Sequence, residues 1–449
     1  MDYTLPLLAI GKLGLIFGVL ILFLRLRFPL WITIFAGSLT AGLLGSAPSA
    51  TLLVIPQNVL VQQDFLVLCV MVSFLLALAG IQQATGQSQR LVQGLEGHIK
   101  NPHLRLVLFP ALVGLLPMPG GALFSCPMIR DTARNMNLDN SQKSLINYWF
   151  RHIWEVAWPL YPGYALACML LDIPLTRLWL FTFPGVFISI FVGWFFFLRH
   201  LEVVAPVVAA DHRAEHGPMA ETPDRAQDGQ LPLGSVLLEG LPIAVTLGGA
   251  VILGIIFDAL WPQLPAQLAF CGSLVFALGT AIYQGRGHRE KTLVQILCTK
   301  NAVNILLILL AIYVFKQVIT DSGIVADLAG IGTNTILSCL AFVVIPFISG
   351  TLTGIFVGAV GLSFPLVLGI LNHAPALQEY TVPLMVMAIL ACNGGQMVSP
   401  LHVCLVVTSN FFKSSMGSLL RKLAKPVVCF MLLALGVSLA MALFDLSFS

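Results

Sequence analysis

The sequence predicts an all-α polytopic membrane protein made of two inverted-topology repeats, each with about five transmembrane helices. Three observations predict this fold class: the composition, the distribution of Lys and Arg, and two apolar segments that Pro and Gly interrupt. Hydrophobic residues make up 58% of the 449 residues, and charged residues only 10%. Soluble proteins carry roughly 25% charged residues, so this chain lacks the side chains to cover a water-exposed surface.

Apolar runs of about 20 residues, the length that crosses a bilayer core, recur along the whole chain. The first run has no small-residue cleavage site and is interpreted as a retained span, not a signal peptide. Two further apolar segments, about 105–129 and 334–370, contain Pro and Gly and are predicted to be re-entrant hairpins. The predicted spans are residues 5–24, 29–46, 65–84, 144–171, 178–198, 234–257, 266–284, 301–320, 380–409 and 426–447.

The Lys and Arg residues predict how the chain is oriented, because basic residues concentrate in cytoplasmic loops. The stretches on both sides of segment 105–129 carry Lys and Arg, so this hairpin is predicted to enter and leave on the cytoplasmic face. The loops on both sides of segment 334–370 carry neither, which predicts a hairpin that enters from outside. The first half therefore starts outside and the second half starts inside. Both termini are predicted to lie outside.

The predicted domains are an N-terminal repeat, residues 1–200, and a C-terminal inverted repeat, residues 233–449. Residues 201–232 are the one long polar stretch and are predicted to be a flexible cytoplasmic linker. Each repeat contains one hairpin followed by a broken helix, at about 144–171 in the first repeat and about 380–409 in the second. Interrupted helices in inverted repeats are typical of secondary transporters whose binding site lies near the membrane midplane.

A weak internal similarity supports this duplication. GGALFSCP at 120–127 aligns with GAVGLSFP at 358–365, and HIWEVAWPL at 152–160 aligns with NGGQMVSPL at 393–401. The alignment pairs residues of the same or related type in the two halves: Pro110 with Pro346, Gly114 with Gly350, Ser125 with Ser363, His152 with Asn393, Glu155 with Gln396, and Pro159 with Pro400.

Helix breakers and ionisable residues coincide in the first broken helix. Pro has no N–H, so Pro159 and Pro400 are each expected to free the carbonyl four residues earlier, that of Glu155 and that of Gln396. A freed carbonyl in hydrocarbon is costly unless it faces protein, water or an ion. The run Asn393-Gly394-Gly395 is expected to loosen the second helix further, because Gly disfavours helix.

Two interpretations of the charged residues in this helix remain open. Arg151 and Glu155 stand one turn apart and form either a structural pair or part of a transport site. In the second interpretation, Arg151 or His152 meets an anionic substrate, while Glu155 takes a proton or helps to hold a cation. His152 and His402 are each either packing residues or site residues.

The hairpin tips and the broken helices supply the candidate binding residues. Half-helix N-termini suit an anionic group, and hydroxyl and carbonyl oxygens suit a hard cation such as sodium. Thr351, Asn393 and Ser399 are the candidate sodium ligands; no resident metal or cofactor is predicted, and the coupling ion is H⁺ or Na⁺. The candidate substrate- and ion-binding residues are Pro119, Gly120, Gly121, Ser125, Arg151, His152, Glu155, Ser349, Gly350, Thr351, Thr353, Ser363, Asn393, Gly394, Gly395, Gln396, Ser399 and His402.

The segments PMPGGALFSCPMI, SGTLTGIFVGAVGLSFPLVLGI and NGGQMVSPLHVCL, with the two inverted halves, resemble the ion transporter superfamily. They are most similar to an uncharacterised group of integral membrane proteins related to gluconate permeases, citrate and dicarboxylate carriers, and arsenite-type permeases. The resemblance implies a homodimer with a rigid scaffold part and a mobile transport part that moves as an elevator. The Ser-Asn-Thr motif that several members carry at each hairpin tip is absent here, and this leaves protons and sodium as equal candidates for coupling.

The predicted function is secondary active transport of a small organic anion of the carboxylate type across the cytoplasmic membrane, coupled to H⁺ or Na⁺. The alternative is a proton/cation antiporter, because Glu155 fits either role; a channel or a membrane-embedded enzyme is less well supported. No G-x-S-x-G or H-E-x-x-H motif occurs, so no enzymatic activity is predicted. The expected partners are a small-molecule anion, the lipid bilayer and a second copy of the chain, with no nucleic acid.

Overall fold

The described part of the protein consists of helices joined by turns and short connections. The computed structural model describes residues 4–45, 58–96, 98–99, 101–115, 121–201, 232–261, 263–286, 295–296, 299–324 and 335–444, and these contain no β-strand. Seven helices within them are long and apolar enough to cross a membrane by length and composition. The predicted class, an all-α integral membrane protein, is confirmed at this level.

The first half contains short helices as well as spans, because Pro and Gly divide its apolar segments. A 3₁₀ turn forms at Ala133–Asn135, and a π-helical turn forms at Trp194–Leu198. The helices are α1 (Thr4–Arg25), α2 (Leu30–Leu44), α3 (Gln63–Ala84), α4 (Gln87–Glu96), α5 (Pro102–Leu115), α6 (Gly121–Thr132), α7 (Asn140–Arg151), α8 (Pro162–Leu171), α9 (Leu175–Thr182) and α10 (Pro184–Gly193).

The second half begins beyond the linker. Residues 202–231, almost the whole predicted linker, lie outside the described residues. The helices are α11 (Leu233–Glu239), α12 (Leu241–Leu260), α13 (Gln267–Gln284), α14 (Lys300–Asp321), α15 (Thr335–Thr353), α16 (Phe356–Asn372), α17 (Pro375–Gln378), α18 (Thr381–Met397), α19 (Val403–Phe411) and α20 (Met416–Leu443).

The two halves present their helices in matching order and pack them in matching pairs. α1 packs on α2 as α12 packs on α13, and α5 packs on α6 and α7 as α15 packs on α16 and α18. The contacts between the halves also correspond. α2 packs on α14 while α3 packs on α13, and α6 packs on α19 while α8 packs on α16. The second piece of each broken helix thus lies against the second hairpin helix of the opposite half.

The two interrupted segments differ in length. In the first half, α5 and α6 are short, and the connection between them, residues 116–120, lies outside the described residues. In the second half, α15 has 19 residues and is by itself long and apolar enough to cross a membrane. The predicted re-entrant arm does not need this length. The chain reverses between α15 and α16 at Gly354, whose φ of +65° lies in the left-handed region that glycine accepts without strain.

A polar clasp joins the halves at one end of the helices. Arg90 of α4 forms a bidentate ion pair with Glu239 of α11, at 2.7 and 3.1 Å. Gln87 also donates a hydrogen bond to Gln284 of α13, at 3.0 Å. These contacts fix the entry of the chain into the second half against α4.

Candidate functional site

Two glycines bring a hairpin helix into backbone contact with the helix that breaks. A Cβ on Gly114 of α5 would overlap the carbonyl oxygen of Arg151, and a Cβ on Gly350 of α15 would overlap that of Cys392. The alignment that pairs Gly114 with Gly350 and Glu155 with Gln396 also pairs Arg151 with Cys392. The halves therefore make the same contact at equivalent positions.

A side chain beyond each break reaches back to the same hairpin helix. The indole N–H of Trp158 donates to the carbonyl of Leu115, at 2.9 Å, and the hydroxyl of Ser399 donates to the carbonyl of Thr351, at 2.7 Å. Trp158 and Ser399 are equivalent in the alignment, as are Leu115 and Thr351. A further pair of contacts is equivalent. Nε1 of Trp154 donates to the Ala111 carbonyl, at 3.0 Å, and the aligned Gly395 packs on the carbonyl of the aligned Phe347.

The first broken helix opens earlier than Pro159 predicts. α7 ends at Arg151, and residues 152–161 form successive turns before α8 begins at Pro162. The N–H of Glu155, for example, bonds the carbonyl of His152, three residues back, at 3.2 Å. The reason is local packing: the Arg151 carbonyl lies against Gly114, so the turn tightens where α5 crosses.

The second broken helix differs from the prediction in two respects. Asn393, Gly394 and Gly395 remain helical, because both glycines serve close packing: a Cβ on Gly395 would overlap the Phe347 carbonyl. The carbonyl of Gln396 is also not left free. It accepts a hydrogen bond from the N–H of Ser399, at 3.0 Å, so a tightened turn replaces the bond that Pro400 removes.

A buried polar cluster lies where the two breaks meet. Arg151 and Glu155, 5% and 8% exposed, are the one buried Arg or Lys and the one buried Asp or Glu in the part of the chain that the structure describes. The side-chain amide of Gln396 donates a hydrogen bond to Oε2 of Glu155. These two residues occupy equivalent positions in the alignment, so the halves touch there through matched side chains.

Two histidines, one from each half, complete the cluster. Nε2 of His152 lies 3.0 Å from Nε2 of His402, and 4.0 Å from Oε1 of Glu155. Nδ1 of His152 lies 2.5 Å from the carbonyl of Tyr148 and donates to it, which leaves the lone pair of its Nε2 facing His402. The Tyr148 hydroxyl in turn donates to the Met397 carbonyl at 3.2 Å.

Arg151 lies at the N-terminus of the second hairpin helix. A Cβ on Gly121, the first residue of α6, would overlap Nη2 of Arg151. The guanidinium also interacts electrostatically with Cys404, Tyr161 and Glu155. The cluster therefore sets a cationic side chain and a helix N-terminus, which carries partial positive charge, beside each other.

The structure places the remaining predicted residues as follows. Pro119 and Gly120 lie outside the described residues. The hydroxyls of Ser125, Ser363, Thr351 and Thr353 each bond a carbonyl within their own helix, which is a packing role. Ser349 is buried beside Gly350, and its hydroxyl has no hydrogen-bond partner within the described residues.

The three candidate sodium ligands do not converge on one point. Thr351 and Ser399 meet, but their hydroxyls donate to backbone carbonyls. Asn393 instead lines a small cavity beside His152, with Trp149, Ser189 and Phe430 also in its wall. Oδ1 of Asn393 has no hydrogen-bond partner in the described structure, and the cavity has room for about one water molecule.

Several residues of the cluster were not identified from the sequence. Tyr161 donates to the Gly114 carbonyl, at 2.5 Å, and Asn147 donates to the hydroxyl of Thr408, at 3.1 Å. Cys404 lies with His152 and His402. The spacing His402-x-Cys404 is the one sequence signal that could have identified this cysteine, because its His partner is two residues away.

Comparison with known proteins identifies the family but assigns no activity. A family profile described as "Protein of unknown function (DUF401)" matches residues 9–209 and 239–441, one range in each half. No curated protein matches the chain at a significant level. Because the profile covers most of its length, the chain belongs to the DUF401 family, an uncharacterised family whose apolar helices fit an integral membrane protein.

Proposed function

We propose that the protein is a secondary active transporter that moves a small organic anion of the carboxylate type across the cytoplasmic membrane. The observation that carries this proposal is the hydrogen bond between Gln396 and Glu155, which joins equivalent positions of the two broken helices inside a buried polar cluster. Transporters with inverted repeats place their sites between such helices, near the membrane midplane. Transport follows from alternating exposure of this cluster, in an elevator-type movement, to the two sides of the membrane.

The equivalent contacts of the two halves support an inverted repeat. Gly114 with Arg151 matches Gly350 with Cys392, and the Trp158 bond to α5 matches the Ser399 bond to α15. The matching order of helices and the exchange of partners between the halves agree with a two-fold relation. The distribution of Lys and Arg supports opposite orientations of the two halves in the membrane. It predicts that the first hairpin enters from the cytoplasm and the second from outside.

Arg151 and the N-terminus of α6 favour an anion as the substrate. An ionised side chain inside a span costs about 2.5–3.5 kcal/mol on insertion scales, so a buried Arg in such a position commonly marks a functional site. Arg presents a planar fork of N–H donors that matches a carboxylate. Two positive groups side by side attract an anion more strongly than either alone, and this favours anion transport over proton/cation antiport.

Glu155 supplies the negative charge that balances the positive charge of the coupling cation. It is the one buried carboxylate of the described chain, and Gln396 holds it in place. The coupling cation is either H⁺ or Na⁺. The cluster supplies a negative charge and amide oxygens, and its geometry does not select one of the two ions. Thr351, Asn393 and Ser399 do not act as one sodium site in this arrangement, so a sodium ion bound at these three residues requires their rearrangement.

In the proposed elevator-type movement, the protein is a homodimer in the cytoplasmic membrane. The spans without a broken helix form its rigid part. A dimer and both termini outside are the states expected from the family resemblance and from the loop charges. Cysteine labelling in whole cells tests the topology. Single cysteines near Arg90 and near Lys143 should both label from the cytoplasm, and labelling of the second from outside would refute the re-entrant first hairpin.

Transport by purified protein in liposomes tests the proposal. Labelled mono-, di- and tricarboxylates are offered with no gradient, with an inward proton gradient and with an inward sodium gradient. The expected result is saturable uptake of one carboxylate class, with accumulation under one of the two gradients. Cation flux without anion uptake would favour the antiporter. Absence of both fluxes from protein that remains folded by size-exclusion chromatography would refute secondary transport.

A further inference from the structure

Three metal-binding side chains meet at the junction of the two broken helices. One ring nitrogen of His152, one of His402 and the thiol sulfur of Cys404 all lie within 4.8 Å of one another. Both histidines are buried, and Cys404 is half-buried. Sequence analysis predicts no resident metal, because these residues come from both halves and only the fold brings them together.

The distances within this cluster suit a common ligated ion. The nitrogens of two imidazoles bound at about 2.0–2.1 Å to one three-coordinate ion are separated by roughly 3.5–3.6 Å, so the two Nε2 atoms need to move apart by about 0.5 Å. The Nε2 atoms of His152 and His402 lie 3.0 Å apart, while their ring centroids lie 4.6 Å apart, so the nitrogen edges of the rings face each other. The sulfur needs to move inward by about 1 Å to reach bonding distance, and Cys404 sits in the first turn of α19, next to a break.

The contact between His152 and Tyr148 orients the His152 ring for metal binding. Nδ1 of His152 donates to the Tyr148 carbonyl, at 2.5 Å. Metal-binding histidines commonly donate their second ring N–H to a carbonyl or carboxylate, which fixes the ring and turns the free lone pair to the ion. His152 has this arrangement already, with its free lone pair facing His402.

The charges around the cluster decide the class of ion. Arg151 and Glu155 are the neighbouring charged groups, and their formal charges sum to zero. The remaining charge is that of the Cys404 thiolate. A monovalent cation neutralises it, whereas a divalent cation leaves a buried site with one uncompensated positive charge, which is costly in a low-dielectric interior. Thiolate together with imidazole donors suits copper(I) among soft monovalent ions.

We propose that His152, His402 and Cys404 form a three-coordinate copper(I) site that links the two broken helices. On binding, the S–H bond of Cys404 breaks, its proton leaves to solvent, and a sulfur–copper bond forms. Before binding, the proton of His402 lies at Nε2 and is donated to Nε2 of His152. On binding, His402 loses this Nε2 proton to solvent and takes up a proton from solvent at Nδ1, so both imidazoles donate the lone pairs of their Nε2 atoms to copper. Copper stays in the +1 state, so no electron is transferred.

Copper binding by the purified, full-length protein in detergent tests the site under anaerobic conditions. Copper(I) is titrated against a coloured copper(I) chelator, and the loaded protein is analysed by X-ray absorption. The wild type should bind one copper per chain, with two nitrogen and one sulfur neighbours. Cys404→Ser should lower the copper affinity by about 100-fold or more, since a lost ligand costs at least as much as a lost supporting contact.

Cys429→Ser is the matched control, because Cys429 is also a half-buried free cysteine of the second half and lies outside the cluster. It should bind copper as the wild type does.

His402→Gln should lose one nitrogen neighbour and keep the sulfur. If His402→Gln does not fold, Cys404→Ser decides the question. Wild-type affinity in Cys404→Ser, or tighter binding of Zn²⁺ than of copper(I) by the wild type, would overturn the proposal. The transport proposal does not depend on this result, because copper binding is measured without substrate.

Discussion

The two broken helices have equivalent backbone contacts and different chemistry. Each passes a hairpin helix at a glycine, Gly114 in the first half and Gly350 in the second, and each opens beside it. The first carries Arg151 and Glu155, whereas the second carries Cys392 and Gln396 at the equivalent positions. The backbone contacts at the two breaks are therefore equivalent, while the charge at these positions is confined to one half.

This difference separates the requirements of packing from those of function. Packing is satisfied in the second half without an ionisable pair, because Gln396 reaches the same junction with a neutral amide. The charges of the first half are thus not needed to hold a broken helix against its hairpin. If the halves arose by duplication, as proposed, costly buried charges kept in only one copy are expected to serve the proposed transport and not packing.

The largest expected effect comes from removing the cation of the pair. Arg151→Met leaves Glu155 as a lone buried carboxylate, and an uncompensated buried charge costs roughly 3–5 kcal/mol. We expect a strong loss of thermal stability, measured by fluorescence-detected size-exclusion chromatography, and a loss of substrate binding.

The matched control for this variant is the double change Arg151→Met with Glu155→Leu. It removes both charges, so it should fold again while anion binding stays absent. Recovery of both folding and anion transport in the double variant would show that the pair is structural, and the contrast between the two halves would then carry no functional meaning.

The equivalence of the two hairpin contacts predicts a smaller, symmetric effect. Gly114→Ala and Gly350→Ala each place a Cβ on a backbone carbonyl, which cannot rotate away, and overpacking of this kind costs about 1–3 kcal/mol. The two variants should lower the melting temperature by similar amounts.

Gly248→Ala in α12 is the control for the glycine variants, since no atom lies within 4 Å of the added Cβ. It should leave the stability unchanged or raise it slightly, because Ala favours helix. A large loss in only one of Gly114→Ala and Gly350→Ala would contradict the equivalence of the two contacts.

The smallest expected effect concerns the side chains that reach back from the breaks. Trp158→Phe and Ser399→Ala each remove one hydrogen bond to a hairpin carbonyl, and a single bond of this type contributes about 0.5–1.5 kcal/mol. Thermal melts should show a modest loss in both.

The all-α architecture with apolar helices of membrane-spanning length was predictable, because such helices depend on local composition. Runs of apolar residues and the placement of Lys and Arg are read directly from the sequence, and the helices of the structure follow most of the predicted spans. The alignment of the halves also named Glu155 and Gln396 as equivalent, but it could not show that they touch. That contact depends on how two distant segments pack.

The details of the breaks were less predictable, because tertiary contact overrides local preference. Asn393-Gly394-Gly395 has poor helix propensity and yet stays helical, since Gly395 is needed where Phe347 crosses. The first break begins at His152 and not near Pro159 for a similar reason, the approach of α5. Tyr148 was missed because its partner Met397 lies in the other half, and Cys404 because His152, the third member of its cluster, does.

The central claim is that the charge of Glu155 couples anion movement to a cation gradient. The most direct test compares gradient-driven accumulation with anion exchange for Glu155→Gln in liposomes. The variant keeps the shape of the side chain and sits opposite Gln396 as an amide, but it leaves the buried Arg151 uncompensated and should lose stability as Arg151→Met does. Both measurements are therefore made on protein that remains folded by size-exclusion chromatography, and this protein should exchange anion across the membrane. Accumulation under the H⁺ or Na⁺ gradient should fall to the level of equilibration. Accumulation at the wild-type level by Glu155→Gln, with the same dependence on the gradient, would contradict the claim.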